Sequence, residues 1–510
     1  MSITSARRRG GLCAALTASA LALTGCFAAP GTPSADGGER IRLAMLLPPR
    51  SGLSPFSDDA FKLSRWRTAE TLVVLDGNGD AQPALATGWA RVDDRTWRFD
   101  VREGVRFHDG TELTAEHVAG ALTAGTRASP KPRILDGVEL TAHADGNAVV
   151  VATADVDPLV PQRLSSPQLS ILAPAAYGAD GVVNPVRAGT GPFVLTTVNG
   201  TSGATLDRFD GYWGDPAAAS GIDVDFVPDG TARAAALRTG TADVVEAIPV
   251  SQVEVLDDAL VHEVPMPRTN TLYLNTRRGP FADPAVRAAA REAIDRAALA
   301  QQVYEGRADE AQGLLGPALP WAAAGRSDAA YAAALARRAQ SAPVQGVPIT
   351  LGTFTDRAEL PEVAVLLEQQ LEAAGFVVTQ DVRQYSFIES DALAGAFDAF
   401  ILSRATVLDS GDPVAYMFSD FACAGSFNIA QLCDPAVDAA LQQAATIEAG
   451  PQRRAAVMRA EAAVLATDAA VPMLHERVIQ GEAARVAGVA RDPRERELIT
   501  SASAVSDEPR

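Results

Sequence analysis

The sequence predicts an α/β protein of more than one domain. Three observations carry this reading. The chain has 510 residues, more than one hydrophobic core accommodates, so two or three domains are expected. Residues 70–118 spell a series of short strands and tight turns, with period-2 apolar alternation at Trp97, Phe99 and Val101. Residues 347–404 alternate strand and helix patterns in the order β-α-β-α-β. Apolar content of 47% and charged content of 21% are those of a globular chain.

The chain opens with a targeting pattern. Arg7, Arg8 and Arg9 form a basic start, and Gly11 to Leu23 is an apolar stretch too short to span a bilayer stably. It ends in Leu23-Thr24-Gly25-Cys26, which resembles a bacterial lipoprotein box. That resemblance implies a signal peptide at 1–25, lipidation of Cys26 and a tether at 26–39, rich in Ala, Gly, Pro and Ser. An ordinary cleaved signal with an incidental cysteine is the alternative. No later stretch is long and apolar enough to cross a membrane, so in a transport role other subunits would make the pore. Removing the leader's three arginines from 44 basic residues leaves 41 against 63 acidic ones, a net charge of −22. Such a body is repelled by nucleic acid and by anionic lipid heads.

The elements of the body follow in order. Ile41 to Leu47 reads as a strand stopped by Pro48-Pro49, and Leu72 to Leu75 as a strand stopped by the turn Asp76-Gly77-Asn78-Gly79. Val92 joins the alternating face of the next strand, after which Thr114 is an N-cap for a helix opening at Ala115. Gly189-Thr190-Gly191-Pro192-Phe193 leads into a strand to Val198, and lacks the lysine and following helix of a phosphate loop. Leu272 to Asn275 is a strand. Asp283 caps a helix with Pro284 at its first position, and Val286, Ala290, Ala293 and Ala297 carry it to a close at Gly306. Strands are expected at Val347–Thr353, Phe376–Thr379 and Phe397–Ser403, with a helix from Leu360 to Ala374 stopped by Gly375. Two further capped helices start at Asp434-Pro435 and near Pro451.

Several runs carry more than periodicity. Pro83 to Trp89 reads P-x-L-A-x-x-W, Asp93 to Phe99 reads D-x-x-T-W-x-F, and Arg102 to Val118 reads R-x-G-V-x-F-H-D-G-x-x-L-T-A-E-x-V. With Gly189 to Phe193, Asp210-Gly211-Tyr212-Trp213-Gly214, the Leu237-x-x-Gly240-x-x-Asp243 element and the Asn275 to Arg296 run, these resemble the peptide/nickel-type solute-binding proteins of ABC importers. The resemblance implies a periplasmic-binding-protein-like α/β fold of the type II, three-domain class. One discontinuous lobe would comprise 40–69, 187–267 and 475–510. A small family-specific domain would occupy 70–186, and a second lobe 268–474. It also implies a monomer without a cofactor that carries peptides or peptide-like solutes to permease subunits. Metal chelates, opines and oligosaccharides are the ligands of other relatives.

A hydrolase would need a catalytic constellation. His108, His117, His143, His262 and His475 are scattered, without metal-ligand spacing, and no G-x-S-x-G elbow occurs. The expected site lies instead beyond the Phe397–Ser403 strand, because open α/β sheets bind ligands past the carboxyl ends of their strands. There Asp409, in Asp409-Ser410-Gly411-Asp412-Pro413, resembles the aspartate that holds a ligand's α-amino group in dipeptide- and oligopeptide-binding relatives. Those relatives often carry Gly-Trp where this chain has Ala405-Thr406. Arg357 and Arg404 are candidates for a ligand carboxylate, and Thr406 for a polar contact. Asp412 reads as the turn carboxylate beside Pro413. Of the cysteines outside the leader and the lipobox, Cys423 and Cys433 are expected to pair outside the cytoplasm, as the resemblance also implies.

Overall fold

The computed structural model describes residues 39–357, 359–407 and 410–506. Cys26 and Asp409 lie outside the described residues. An eleven-stranded mixed sheet runs through the molecule. Its order is Phe376–Arg383, Val347–Phe354, Ala399–Ala405, Val261–Leu274, Ala470–Glu482, Val244–Val245, Ile41–Met45, Gly221–Phe226, Gly203–Arg208 and Phe193–Asn199, with Ala308–Glu310 added on Ala470–Glu482. Two strands are much longer than the rest, Val261–Leu274 with 14 residues and Ala470–Glu482 with 13. They pair antiparallel from Val261 opposite Gly481 to Tyr273 opposite Ala470, with register shifts between Pro265 and Thr269 and between Asn270 and Thr271. One end of Ala470–Glu482 pairs with Val244–Val245, while Val261–Leu274 pairs along its C-terminal half with Ala399–Ala405. Every backbone path between the two halves of the sheet thus passes through this pair.

Each half has its own apolar core. One gathers Leu272 to Leu474, with Phe281, Leu351, Leu367, Phe400 and Phe421 fully buried. The other gathers Ile41 to Val244 together with Leu498, Ile499 and Val505. A four-stranded antiparallel sheet, Ala86–Arg91, Thr96–Val101, Ala148–Thr153 and Leu140–Asp145, belongs to this second core. Residues 70–186 therefore share one continuous core with the segments on either side of them.

Local chemistry explains most element boundaries. Trp97, Phe99 and Val101 are buried, as alternation requires, but Val92 is 62% exposed because it belongs to the turn that Asp93 shapes, not to the strand. The Thr114 hydroxyl accepts from the His117 N–H at 3.4 Å and starts the helix Ala115–Arg127. Asp283 caps Pro284–Ala293 by accepting from Ala285 N–H at 2.8 Å. The single helix expected as far as Gly306 is two: the Asp295 carboxylate accepts from Ala298 N–H at 2.9 Å and caps a new helix, Arg296–Val303. An aspartate in a helical pattern offers the backbone this alternative partner. The strand expected from Phe397 begins at Ala399, with Phe397 packed on Phe400 ahead of it. Cys423 and Cys433 are joined by a disulfide across a sequence separation of 10.

The recurrent motifs meet in one buried knot. The Glu70 carboxylate accepts from Thr190 Oγ1 at 2.8 Å, Tyr212 OH at 2.8 Å and Trp213 Nε1 at 2.9 Å. Burial pushes the Glu70 carboxyl above its usual range, against these three donors and Arg67. His108 donates its backbone N–H to Gly189 O at 2.8 Å, and its Nε2 lies 2.9 Å from Gly191 O. A Cβ on Gly189 would stand 1.8 Å from Thr68 O, and one on Gly191 1.9 Å from Arg67 O. Both glycines are therefore dictated by close backbone packing rather than by a ligand.

Candidate functional site: an arginine-lined crest

Val347–Phe354, Phe376–Arg383 and Ala399–Ala405 run parallel, so their carboxyl ends emerge on one side. Arg404 is the penultimate residue of the last of these strands, and Arg357 follows the first by three residues. The antiparallel neighbour Val261–Leu274 brings Arg268 opposite Ala405 and Thr269 opposite Arg404. Three arginines distant in sequence therefore share one crest, in the middle of the two long strands.

Two of the three are already committed. Arg404 donates through Nε and Nη2 to Asp420, at 2.9 Å each, and lies 4.3 Å from the centre of the Phe427 ring. Asp420 stands on the helix Val414–Phe421 and is fully buried, with Tyr273 OH 3.4 Å from its carboxylate. Burial pushes the Asp420 carboxyl up against the opposing pull of Arg404. Despite its burial, the guanidinium is held above its ordinary range by the Asp420 charge. Arg357 donates through Nη1 to Glu476 at 2.8 Å, a buried residue of Ala470–Glu482. Thr406 faces the main chain: its N–H donates to Pro267 O at 2.8 Å and its hydroxyl to the same oxygen at 3.3 Å. The structure thus brings Arg357, Arg404 and Thr406 together and gives each an internal partner.

Sequence reasoning missed Arg268. Its Nε is buried without an acceptor, and among the described residues no carboxylate stands within 4.0 Å of its guanidinium. Burial and the neighbouring charges of Arg357 and Arg404 lower its proton affinity, while Glu495 and Glu476 raise it. Asn270 Oδ1 and Thr271 Oγ1 on Val261–Leu274 and Ser403 Oγ on Ala399–Ala405 are also buried without a partner among the described residues. Glu495 approaches from the C-terminal segment. Its backbone is left-handed, with φ 58°, and its N–H donates to Asp492 O at 3.1 Å. Among the described residues its carboxylate closes no ion pair within 4.0 Å, although its charge is felt at Arg65, Arg268 and Arg357. No local signal marked Arg268, because its strand is of mixed polarity, with His262, Glu263, Thr269, Asn270 and Thr271 along it.

A separate shallow crevice is lined by Asn78, Asp80, Trp321, Asp412 and Arg453 among others. Its polar groups satisfy one another. Arg453 binds Asp412 at 2.6 and 2.9 Å, Arg454 meets Asp80 at 2.8 Å, and Trp321 Nε1 donates to Asn78 O at 3.1 Å. Asp412 also accepts from Val414 N–H at 2.9 Å, which fits its reading as the turn carboxylate. None of Arg268, Arg357, Arg404 and Glu495 lines this crevice. The crest and this crevice are thus separate features of the molecule.

The profile of the bacterial extracellular solute-binding proteins, family 5, matches residues 80–428. The glutathione-binding protein GsiB of Escherichia coli K12 is 30% identical over 263 residues, 49% of this chain and 51% of GsiB. The match thus spans about half the length of these curated relatives. Among solved structures, the nickel ABC transporter protein from Bacillus halodurans has a TM-score of 0.78 at 24% identity, covering 92% of this chain and all of that one. The dipeptide-binding protein from Pseudoalteromonas sp. SM9913, solved with Met-Leu, has a TM-score of 0.71 at 19% identity, covering 91% of this chain and 100% of that chain. The murein tripeptide-binding protein MppA, in an unliganded open form, has a TM-score of 0.74 at 18% identity over 92% of this chain and 98% of that one. The α/β fold of type II solute-binding proteins is common to all of these. With a family profile matched over most of its length and that fold along more than nine tenths of it, the chain belongs to the bacterial extracellular solute-binding proteins, family 5.

Proposed function

We propose that this chain is the solute-capturing subunit of an ABC importer. It takes up a peptide or peptide-like solute outside the membrane and hands it to permease subunits, acting by binding rather than by turnover. The observation that carries the reading is the crest: arginines converge at the carboxyl ends of parallel strands, in a chain of this family. Two lobes, 40–69 with 187–267 and 475–510, and 268–474, move about the paired strands Val261–Leu274 and Ala470–Glu482, with 70–186 riding on the first. Closure excludes water and strengthens polar contacts to the solute. Asp409 takes the ammonium end of the ligand, since a carboxylate held in a dry cleft needs a cationic partner. Cys26 is the lipid anchor, and the protein works as a monomer.

Native mass spectrometry of protein purified from its own host identifies the bound solute. Calorimetric titration then measures its affinity alongside dipeptides and glutathione, the solute in GsiB's name. A peptide or peptide-like solute, bound and returned intact, is the expected result. A co-purified oligosaccharide or the appearance of cleavage products would overturn the reading. In the same titration Asp409→Asn should weaken binding by roughly 30-fold or more, and an equal affinity would remove Asp409 from the site. Cys26→Ala should release the protein from membranes or stall its processing, and a normally processed, membrane-bound mutant would end the anchor proposal.

A further inference from the structure

We propose that the turn at residues 76–80 is a salt-sensitive latch: it seats in a socket on the other half of the molecule and holds the two halves closed. The proposal rests on the reading of the halves as moving lobes and adds what fastens them.

The turn belongs to one core and its socket to the other. It joins the paired strands Val73–Leu75 and Ala81–Pro83, and Val73 is buried in the core that holds Ile41 and Val244. The shallow crevice around it is walled by Trp321, residues 411–413 and the first turns of the helix Pro451–Ala466. Ala322, Val414 and Val457 in these walls are buried in the core that holds Phe400. Polar contacts cross from one half to the other. Trp321 Nε1 donates to Asn78 O at 3.1 Å, and Arg454 Nη1 to Asp80 Oδ2 at 2.8 Å. On the strand Ala86–Arg91, Arg91 Nη1 donates to Glu448 Oε1 at 2.6 Å. The covalent paths between the halves run through Val261–Leu274 and Ala470–Glu482. The turn thus closes a second, non-covalent path.

Both sides are built to keep their shape apart from each other. Asp76 Oδ1 accepts from Asn78 N–H at 2.8 Å and from Asp80 N–H at 3.0 Å, and Asp76 N–H donates to Asp80 O at 3.0 Å. Arg494, from the same half, donates to Asp76 O. In the socket, buried Arg453 binds Asp412 and also donates to Ala444 O at 2.7 Å and Ile447 O at 2.6 Å. Between them two glycines meet. Gly79 has φ 84° and Gly411 φ 71°. A Cβ on Gly79 would stand 3.0 Å from Gly411 O, and one on Gly411 2.3 Å from Leu75 Cδ1. Glycine at both positions permits the left-handed backbone and the close approach together.

The strength of the contacts suits a reversible fastening. Contacts made in one arrangement and broken in another bias the equilibrium by their own worth and no more. The crossing ion pairs are partly exposed, with side-chain exposures of 23% and 33% for Arg454 and Asp80 and of 26% and 60% for Arg91 and Glu448. Such pairs are weak and are screened by salt. The latch therefore favours closure without locking it, and ionic strength acts on it directly.

The test is small-angle X-ray scattering of the full chain, shown free of solute by native mass spectrometry. Raising sodium chloride from about 20 to about 500 mM should expand wild type. Asp80→Arg and Arg454→Asp should each expand the protein at low salt, lowering the ratio of closed to open form by roughly three- to tenfold. Combining the two, which restores the pair with its charges exchanged, should return the wild-type dimensions. Trp321→Phe, which keeps a ring and removes the N–H donor, should expand it by less. Amide hydrogen exchange should rise at residues 76–80 and 449–457 in the single variants and stay unchanged in Thr96–Val101. Scattering equal to wild type in both single variants, or expansion that the combined exchange does not reverse, overturns the latch. A lower urea midpoint with unchanged scattering makes the contact static packing and overturns it too. If a single reversal fails to fold, the salt response of wild type and of Trp321→Phe decides. Titration of wild type with Met-Leu and with glutathione, the solutes named for two relatives, reports on the solute-binding reading alone, because the arms above are read without solute.

Discussion

Replacing Gly189 with alanine should be among the most destabilising single changes in the chain. The new Cβ would stand 1.8 Å from Thr68 O, 2.8 Å from Thr68 C and 3.1 Å from His108 Cε1. Carbon and carbonyl oxygen settle no closer than about 3.3 Å, so two backbone segments must part by roughly 1.5 Å. Neither is the free end of a side chain. Parting them strains the Gly191 N–H to Thr68 O bond at 3.2 Å and the His108 N–H to Gly189 O bond at 2.8 Å. It also tilts Thr190 away from the buried Glu70 carboxylate, 2.8 Å from its hydroxyl. Overpacking costs about 1–3 kcal/mol and each weakened buried hydrogen bond about 1 kcal/mol, so a loss of roughly 3–5 kcal/mol is expected. Gly120→Ala is the control. Gly120 lies exposed in the helix Ala115–Arg127 with nothing within 4 Å of a Cβ, so alanine there should stabilise by about 0.5–1 kcal/mol. Urea unfolding followed by tryptophan fluorescence reads both. A loss below about 1 kcal/mol for Gly189→Ala would refute the packing account of the G-T-G-P-F motif.

Three further outcomes follow from two buried groups and a disulfide. Burial pushes His475 down to about 4 from an ordinary value of 6.5, so the unfolded chain takes up its proton first as pH falls. Stability should therefore decline from pH 6.5 towards 4 by up to about 3 kcal/mol for this residue. His475→Gln should flatten the plot of urea midpoint against pH across that window, and an unchanged slope would show that the histidine is not held neutral. Reducing Cys423–Cys433 should cost on the order of 2–3 kcal/mol for so short a loop, read as a lower midpoint with reductant and lost if both forms unfold together. Asp420→Asn leaves the Arg404 guanidinium without its buried counter-charge and should cost about 3 kcal/mol. An unfolding midpoint equal to that of wild type would mean that solvent already compensates Arg404.

The fold was legible because its signals are local. An N-cap such as Thr114 or Asp434 announces itself within three residues of its helix, and Trp97, Phe99 and Val101 alternate within five. The same locality misplaced Val92 and joined two helices across Asp295, since a turn and a second cap differ from a continuing element only in where one side chain donates or accepts. The motifs from Glu70 to Trp213 were readable as spelling, but the knot they make around one carboxylate was not, because its three donors lie 120 to 143 residues away.

The site was legible in place and not in partnership. Strand order alone put Arg404 and Arg357 at the carboxyl ends of parallel strands, where a ligand is expected. What each arginine does there depends on Asp420, sixteen residues on, and on Glu476, 119 residues on. A buried pair is expensive to break and gains little from exchanging one carboxylate for another, so the two arginines that position singled out hold the crest together. Arg268, by contrast, closes no ion pair within 4.0 Å among the described residues, in a strand that slips register beside Pro265; the paired arginines on either side of it are held by their own buried carboxylates, which keeps the crest rigid.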